Sequence, residues 1–389
     1  MKALEICFFA GLFILFYTYL GYGILLFSML KAKRFFGKKR ITTVGYDLPE
    51  ITLLVAAYNE KEYIKSKVEN SLSLNYPHEK LKLFWVTDGS DDGTPDLLKE
   101  FPQVTVLHQN ERKGKIAAIN RAMEFIETPI VVFSDANTML GQESIKVIAN
   151  LFADPKTGCV SGEKRVFSKQ KDMAAGAGEG LYWKYESLLK KWDAELNSAV
   201  GAAGELFAIR TELYKEVEPD TLLDDFIISL RVAMDGYKIE YDPNAYAIEG
   251  PSANIKEELK RKIRIAAGGI QSIVRLAPLL NFFKYGLLSF QYISHRVLRW
   301  TIAPLMLPTI LVINILLLND RIVYSVLFIL QLLFYAMACA GWYLQSKKLN
   351  IKVLFVPYYF LMMNYAVYRG FIRYISKTQS VNWERAKRG

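Results

Sequence analysis

The sequence predicts an α/β domain built on a parallel sheet and set between long hydrophobic helices. Three observations predict it. Short continuous apolar runs alternate with helical periodicity between residues 50 and 154. Acids and amides cluster directly after those runs. Long uncharged stretches lie on both sides of the polar middle.

The flanks come first in the chain. The 389 residues are 52% hydrophobic yet 23% charged, which requires the two kinds of residue to be segregated; mean hydropathy is positive. Residues 6–30 are uncharged and long enough to cross a hydrocarbon core of about 30 Å. A basic cluster follows (Lys31, Lys33, Arg34, Lys38, Lys39, Arg40) in place of a small-residue cleavage site, so the run reads as a retained anchor over residues 1–31. Residues 300–319 and 322–346 are uncharged and separated by Asp320-Arg321, the pattern of a transmembrane hairpin within residues 297–346. Residues 273–296 mix apolar side chains with Arg275, Asn281 and Lys284 and read as interfacial. In the last region, 347–389, the apolar run 353–368 leads to a basic tail (Arg369, Arg373, Lys377, Arg385, Lys387, Arg388). A crossing there would put that tail outside, so an interfacial helix is favoured.

The net charge of +10 is concentrated beside apolar runs, which points to anionic lipid and away from nucleic acid. Cys7, Cys159 and Cys339 are too dispersed for a disulfide framework or a metal cluster, as suits a reducing compartment.

The polar middle, residues 47–272, carries the fold signal. Residues 51–57, 83–87, 104–107 and 130–133 are short β-rich runs of the kind buried on both faces of a parallel sheet. Between the first two, residues 61–74 place Ile64, Val68 and Leu72 at four-residue spacing, a helical stripe. Thr94-Pro95-Asp96 reads as a helix start, with a capping hydroxyl, a first-turn proline and an acid. Ligands of such sheets bind beyond the carboxyl ends of the strands. Tyr58-Asn59-Glu60, Asp88 to Thr94, and Ser134-Asp135-Ala136-Asn137 stand there. No GxGxxG or GxxxxGK[ST] occurs, which disfavours a dinucleotide fold and a P-loop. Lys113-Gly114-Lys115 opens a helix, where a lysine suits a diphosphate or is a solvated charge pair.

In order, VAAYNE, VTDGSDDGT, RKGKIAAIN, FSDAN, GAAGELFAIR and LDDF resemble glycosyltransferase family 2, in its membrane-integrated branch of cellulose, hyaluronan and poly-N-acetylglucosamine synthases. The resemblance covers residues 50 to 265 and implies a GT-A fold; the C-terminal Trp383-Glu384-Arg385 is similar too. It implies that Ala57, Tyr58, Glu60 and Asp88 hold the nucleoside, and that Lys115, with Ser134 and Arg261, lies at the nucleotide-sugar. Asp135, with Asn137, would bind Mg2+ or Mn2+ bridging the diphosphate. Asp225 would be the general base of an inverting transfer, and Arg264 would face the leaving diphosphate. Gly204, Glu205, Asp224 and Trp183, with Tyr185, are the acceptor-side candidates; for the two aromatics, packing is the alternative.

Two departures bear on this. Asn137 brings an amide oxygen where the family pattern has an acid. The QxxRW stretch of the processive synthases is Arg261-Lys262-Ile263-Arg264-Ile265 here, so the sugar-stacking tryptophan is an isoleucine. The expected function is transfer of a sugar from a nucleotide-diphospho-sugar, UDP-linked first among candidates. The acceptor would be a glycan or lipid-linked molecule in cell-surface polysaccharide synthesis. The enzyme would be a multi-pass protein of the cell (inner) membrane with a cytoplasmic domain, with an oligomeric or export partner allowed. Single addition to a glycolipid and a silent synthase subunit are the alternatives.

Overall fold

The computed structural model describes residues 2–36, 47–166, 175–250, 254–347 and 351–378. Lys38, Lys39, Arg40, Arg385, Lys387, Arg388 and Trp383-Glu384-Arg385 lie outside these residues. The chain opens with α1 (Lys2–Phe16), a π turn (Tyr17–Gly21) and α2 (Tyr22–Phe36), which join into one long helix. The domain that follows comprises β1 (Ile51–Ala57), α3 (Lys61–Leu72), β2 (Leu81–Asp88), α4 (Thr94–Lys99), β3 (Val104–Gln109), α5 (Lys115–Met123) and β4 (Ile130–Asp135). It continues through β5 (Thr138–Leu140), α6 (Ser144–Leu151), β6 (Thr157–Val166), α7 (Ala175–Leu196), β7 (Leu206–Arg210), α8 (Asp224–Met234), β8 (Lys238–Glu249) and α9 (Ile255–Arg275).

One sheet runs β3-β2-β1-β4-β7-β6-β8-β5. Its first four strands are parallel, as the sequence predicts. From β7 onward the sheet is mixed: β7 is antiparallel to β4 and β6, β6 is parallel to β8, and β5 is antiparallel to β8. Every residue of β1 is buried, because helices cover both faces of the sheet. On one face Leu54, Val86 and Phe133 pack with Ile116 and Ile119 of α5; on the other Leu53, Val55 and Trp85 pack with Ile64 and Val68 of α3.

The start of α4 differs in detail from expectation. Thr94 is already helical, and Asp92 caps it, its Oδ1 accepting from Thr94 N at 2.9 Å and Thr94 Oγ1 at 2.6 Å. The threonine hydroxyl in turn accepts from Glu60 N at 3.0 Å, tying the first two strand-end loops together.

Beyond α9, α10 (Phe282–Tyr292) leads through a π turn (Ile293–Val297) into α11 (Leu298–Trp300), α12 (Ile302–Leu317), α13 (Ile322–Ser346) and α14 (Lys352–Ile375). Among the described residues, Lys2–Phe35 and Ile322–Gln345 are long and apolar enough to cross a membrane. The first arm of the expected hairpin is instead the second half of a bent pair, Phe282–Trp300 with Ile302–Leu317, at 52°. Helix α14 lies along α9: Phe355, Tyr359 and Met362 meet Ile255 and Leu259, and Gly370 abuts Ala266.

The long N-terminal helix serves two neighbours. Gly11 of α1 abuts Ile310 of α12, while α2 lies against α7. There Tyr22 donates to Asp193, and Lys33 caps the end of α7 at the carbonyls of Glu195 and Leu196, at 2.6 and 2.7 Å.

Candidate active site

The parallel half of the sheet delivers its polar residues to one end. Ala57 closes β1, and the Tyr58 ring beside it carries the Arg112 guanidinium 3.8 Å above its centre. Asp88 closes β2 and holds the start of α5, its Oδ2 accepting from the backbone N–H groups of Lys113 at 2.9 Å and Gly114 at 2.6 Å. That loop passes through Gly114 at φ +98°, a conformation open to glycine, and so brings Lys115 back over the strands. The second Asp88 oxygen is buried, 3.9 Å from Arg121 Nη1, and takes no hydrogen bond among the described residues. Ala57, Tyr58, Asp88, Arg112, Gly114 and Lys115 line one pocket. Glu60 is buried at the start of α3.

At the centre, Lys115 links strand ends to α8. Its Nζ lies 2.9 Å from Asp135 Oδ1 and 3.4 Å from Asp224 Oδ2. Burial opposes the ammonium charge, but Asp135 and Asp224 outweigh it and raise the Lys115 pKa. Asp225 stands in the first turn of α8, beside Asp224. Burial, then the neighbouring Asp224 charge, pushes the Asp225 carboxyl up to about 7. A Cβ at Gly204 would meet Asp225 Oδ2 at 3.2 Å, so the glycine keeps the face of that carboxylate open.

The mixed half holds the acceptor-side candidates. Lys164 of β6, buried, pairs with both Glu205 and Glu249. Burial would raise the Glu205 carboxyl, but Lys164 overrides it and holds that group well below the usual range. Trp183 of α7 lies with the ammoniums of Lys262 and Lys164 at 5.0 and 5.9 Å from its ring centre.

Four candidates have environments that sequence did not foresee. Ser134 turns its hydroxyl inward, bonded to Lys67 Nζ at 2.8 Å and 3.2 Å from Glu205 O. Arg261 is held by both Glu258 oxygens at 3.1 Å, while Arg264, one turn on, has no ion pair among the described residues. Tyr185 faces α2, where its hydroxyl would lie 2.5 Å from a Cβ at Gly23, so it packs the helix contact. Sequence reasoning assigned nothing to Lys67, Arg112 or Lys164. Lys67 carried a signal, since it falls three residues after Ile64 on the buried stripe of α3.

Asp135 at the end of β4 and Asn137 in the turn to β5 carry the oxygen donors a hard cation such as Mg2+ takes, few from protein and the rest from phosphate and water. Among the described residues no three His, Cys, Asp or Glu side chains converge. The Lys115 ammonium already marks a cation position between Asp135 and Asp224, and Asp224 Oδ2 is buried with no hydrogen bond among the described residues.

A sheet with acids at its strand ends, a lysine over them and an acid pair opposite is the architecture of the GT-A glycosyltransferases. The chain belongs to the family described as Glycosyltransferase like family 2, which it matches over residues 49–268. It is 29% identical over 239 residues to the poly-β-1,6-N-acetyl-D-glucosamine synthase of Staphylococcus aureus (strain COL), covering 59% of this chain and 57% of that one. To the synthase of the same name from Staphylococcus epidermidis it is 24% identical over 278 residues, 68% of this chain and 66% of that one. The chain thus spans somewhat over half the length of the Staphylococcus aureus relative. Among solved structures, the mannosyltransferase PcManGT from Pyrobaculum calidifontis, in complex with GDP-Man and Mn2+, shares the fold. Its TM-score is 0.70 at 21% identity, covering 97% of this chain and 100% of that one, flanking helices included.

Proposed function

We propose that this glycosyltransferase moves a sugar, with inversion, from a nucleoside-diphospho-sugar to a hydroxyl of a glycan or lipid-linked acceptor. We place the reaction at the cytoplasmic face of the inner membrane, in cell-surface polysaccharide synthesis, with a UDP-sugar as the first candidate donor. The observation that carries the reading is Asp225: a carboxylate with its pKa drawn up to about 7, its face kept open by Gly204 and its neighbour Asp224 3.4 Å from Lys115. A base near neutrality is suited to accepting a proton at cytoplasmic pH.

Asp225 takes the acceptor hydroxyl proton while that oxygen bonds to the anomeric carbon. The bond from that carbon to the diphosphate oxygen breaks, and the diphosphate leaves with the electron pair. Lys115, and Arg264 on α9, which has no ion pair among the described residues, supply positive charge to that leaving group. Tyr58 and Asp88 hold the nucleoside in the pocket at the ends of β1 and β2. Asp135 and Asn137 would hold Mg2+ or Mn2+, which when bound offsets charge on the diphosphate. Glu205 and Trp183 flank the acceptor side.

Single addition is a second reading, favoured by Ile265 in place of a sugar-stacking tryptophan. The test is incubation of the protein in lipid with a panel of UDP- and GDP-sugars, sizing the products. Long products support processive synthesis, a single added sugar supports the second reading, and no turnover with any donor overturns both.

The course of α14 along α9 supports an interfacial helix with the C-terminus in the cytoplasm. A cysteine introduced at Ser380 should resist an impermeant thiol reagent on intact cells; ready labelling overturns that topology.

A further inference from the structure

Lys67 is a buried charge of the domain that the reaction does not use. It sits mid-helix in α3, fully buried, in a position where its neighbours on the stripe are Ile64 and Val68. Its Nζ donates to Ser134 Oγ at 2.8 Å and to Thr138 O at 2.6 Å. Both partners are neutral, and no carboxylate pairs with it among the described residues. Taking an ammonium out of water is costly, and a methionine would fill the same space without that cost. Stability alone therefore does not account for a lysine here.

Its two partners bracket Asp135, Ala136 and Asn137. One turn further along α3, Asn70 grips the far side of the same segment: Asn70 Nδ2 donates to Leu140 O at 3.0 Å, and Leu140 N donates to Asn70 Oδ1 at 2.8 Å. Ser134 Oγ in turn lies 3.2 Å from Glu205 O, next to the Gly204 that borders Asp225. Helix α3 thus pins the β4–β5 turn from behind, and the turn is joined to the segment beside the base.

We propose that Lys67 is a positioning residue that fixes the Asp135–Asn137 turn in the geometry needed to hold a divalent cation and the donor diphosphate. The inference rests on the function proposed above. Two effects of the ammonium have opposite signs, which makes the idea testable. Its charge, weakened by burial more than Asp135 restores it, repels a cation; its hydrogen bonds keep the ligands in place. Removing it tightens cation binding if the field dominates and weakens it if positioning dominates.

The experiment compares full-length wild type, Lys67→Met and Ser134→Ala in detergent. It measures Mn2+-dependent UDP and GDP binding by calorimetry, amide exchange across residues 137–140, and the melting temperature. Lys67→Met should melt no lower than wild type, bind nucleotide with Mn2+ at least tenfold more weakly, and exchange faster at the turn. Ser134→Ala, which removes one of the two anchors, should shift both readings the same way by a smaller factor. Tighter or unchanged Mn2+-dependent binding in Lys67→Met overturns the proposal. If Lys67→Met does not fold, Ser134→Ala decides by the same two readings, and wild-type values there overturn it. Should wild type itself show no Mn2+-dependent nucleotide binding, the donor reading fails separately. Exchange at the turn then decides alone, and an unaltered rate in Lys67→Met overturns the anchoring role.

Discussion

The two halves of the sheet treat charge in opposite ways. In the parallel half, Asp88 spends one oxygen on backbone N–H groups and, among the described residues, leaves the other without a hydrogen bond at the pocket, while Asp135 pairs with Lys115, which also reaches Asp224. In the mixed half, Lys164, Glu205, Glu249, Arg261, Lys262 and Glu258 are tied to one another. Side chains anchored through backbone keep capacity for a ligand; side chains anchored to each other hold the structure. Substitutions in the first half should therefore cost function, and in the second half stability.

The largest expected effect lies in the mixed half. Lys164→Met leaves Glu205 and Glu249 buried without their shared cation, and breaking such a pair costs about 3–5 kcal/mol. Chemical denaturation should show that loss; a change under about 1 kcal/mol would erase the contrast between the halves. Next comes Asp225→Asn, which keeps size and removes basicity. Transfer should fall by roughly a hundredfold or more with nucleotide affinity unchanged, and near-normal turnover would remove the assigned base.

The same residue sharpens the comparison through pH. A base titrating near 7 gives a kcat/KM that falls about tenfold per unit as pH drops below that value and levels off above it. Its stability effect has the opposite sense. A carboxyl whose pKa is raised on folding favours the folded state at low pH, and that contribution is lost as pH rises through about 7. Asp225→Asn should accordingly raise the melting temperature relative to wild type more at pH 8 than at pH 5; equal shifts at both would refute the raised pKa.

Two smaller effects complete the series. Arg264→Ala should lower turnover, because a cation near the leaving diphosphate is lost, and Ile265→Ala should cost less. Equal losses would mean that the register with QxxRW is wrong. Arg34 and Glu195 form an exposed bidentate pair between α2 and α7, and Glu195→Gln should change stability by less than about 1 kcal/mol.

Much of the donor half was legible in the sequence because its signals are local. Continuous apolar runs mark strands buried on both faces, and a parallel strand must expose its carboxyl end, so Tyr58, Asp88 and Asp135 could be located from the runs that precede them. The family motifs then assigned chemistry to each. The mixed order of β7, β6, β8 and β5 was not legible, because antiparallel and parallel partners are chosen by contacts far apart in the chain. The same holds for side-chain direction. Ser134 lies in the motif but turns inward to Lys67, and Arg261 spends its guanidinium on Glu258 while Arg264 does not. Tyr185, two residues from Trp183, faces the N-terminal helix. Sequence by itself located the long apolar stretches, the parallel strands and the strand-end acids, since each depends on residues within one element. Tertiary structure alone decided which charges pair, which carboxylate is driven toward neutrality, and how α3, α8 and α9 converge, because burial and electrostatic neighbours exist only once distant segments meet.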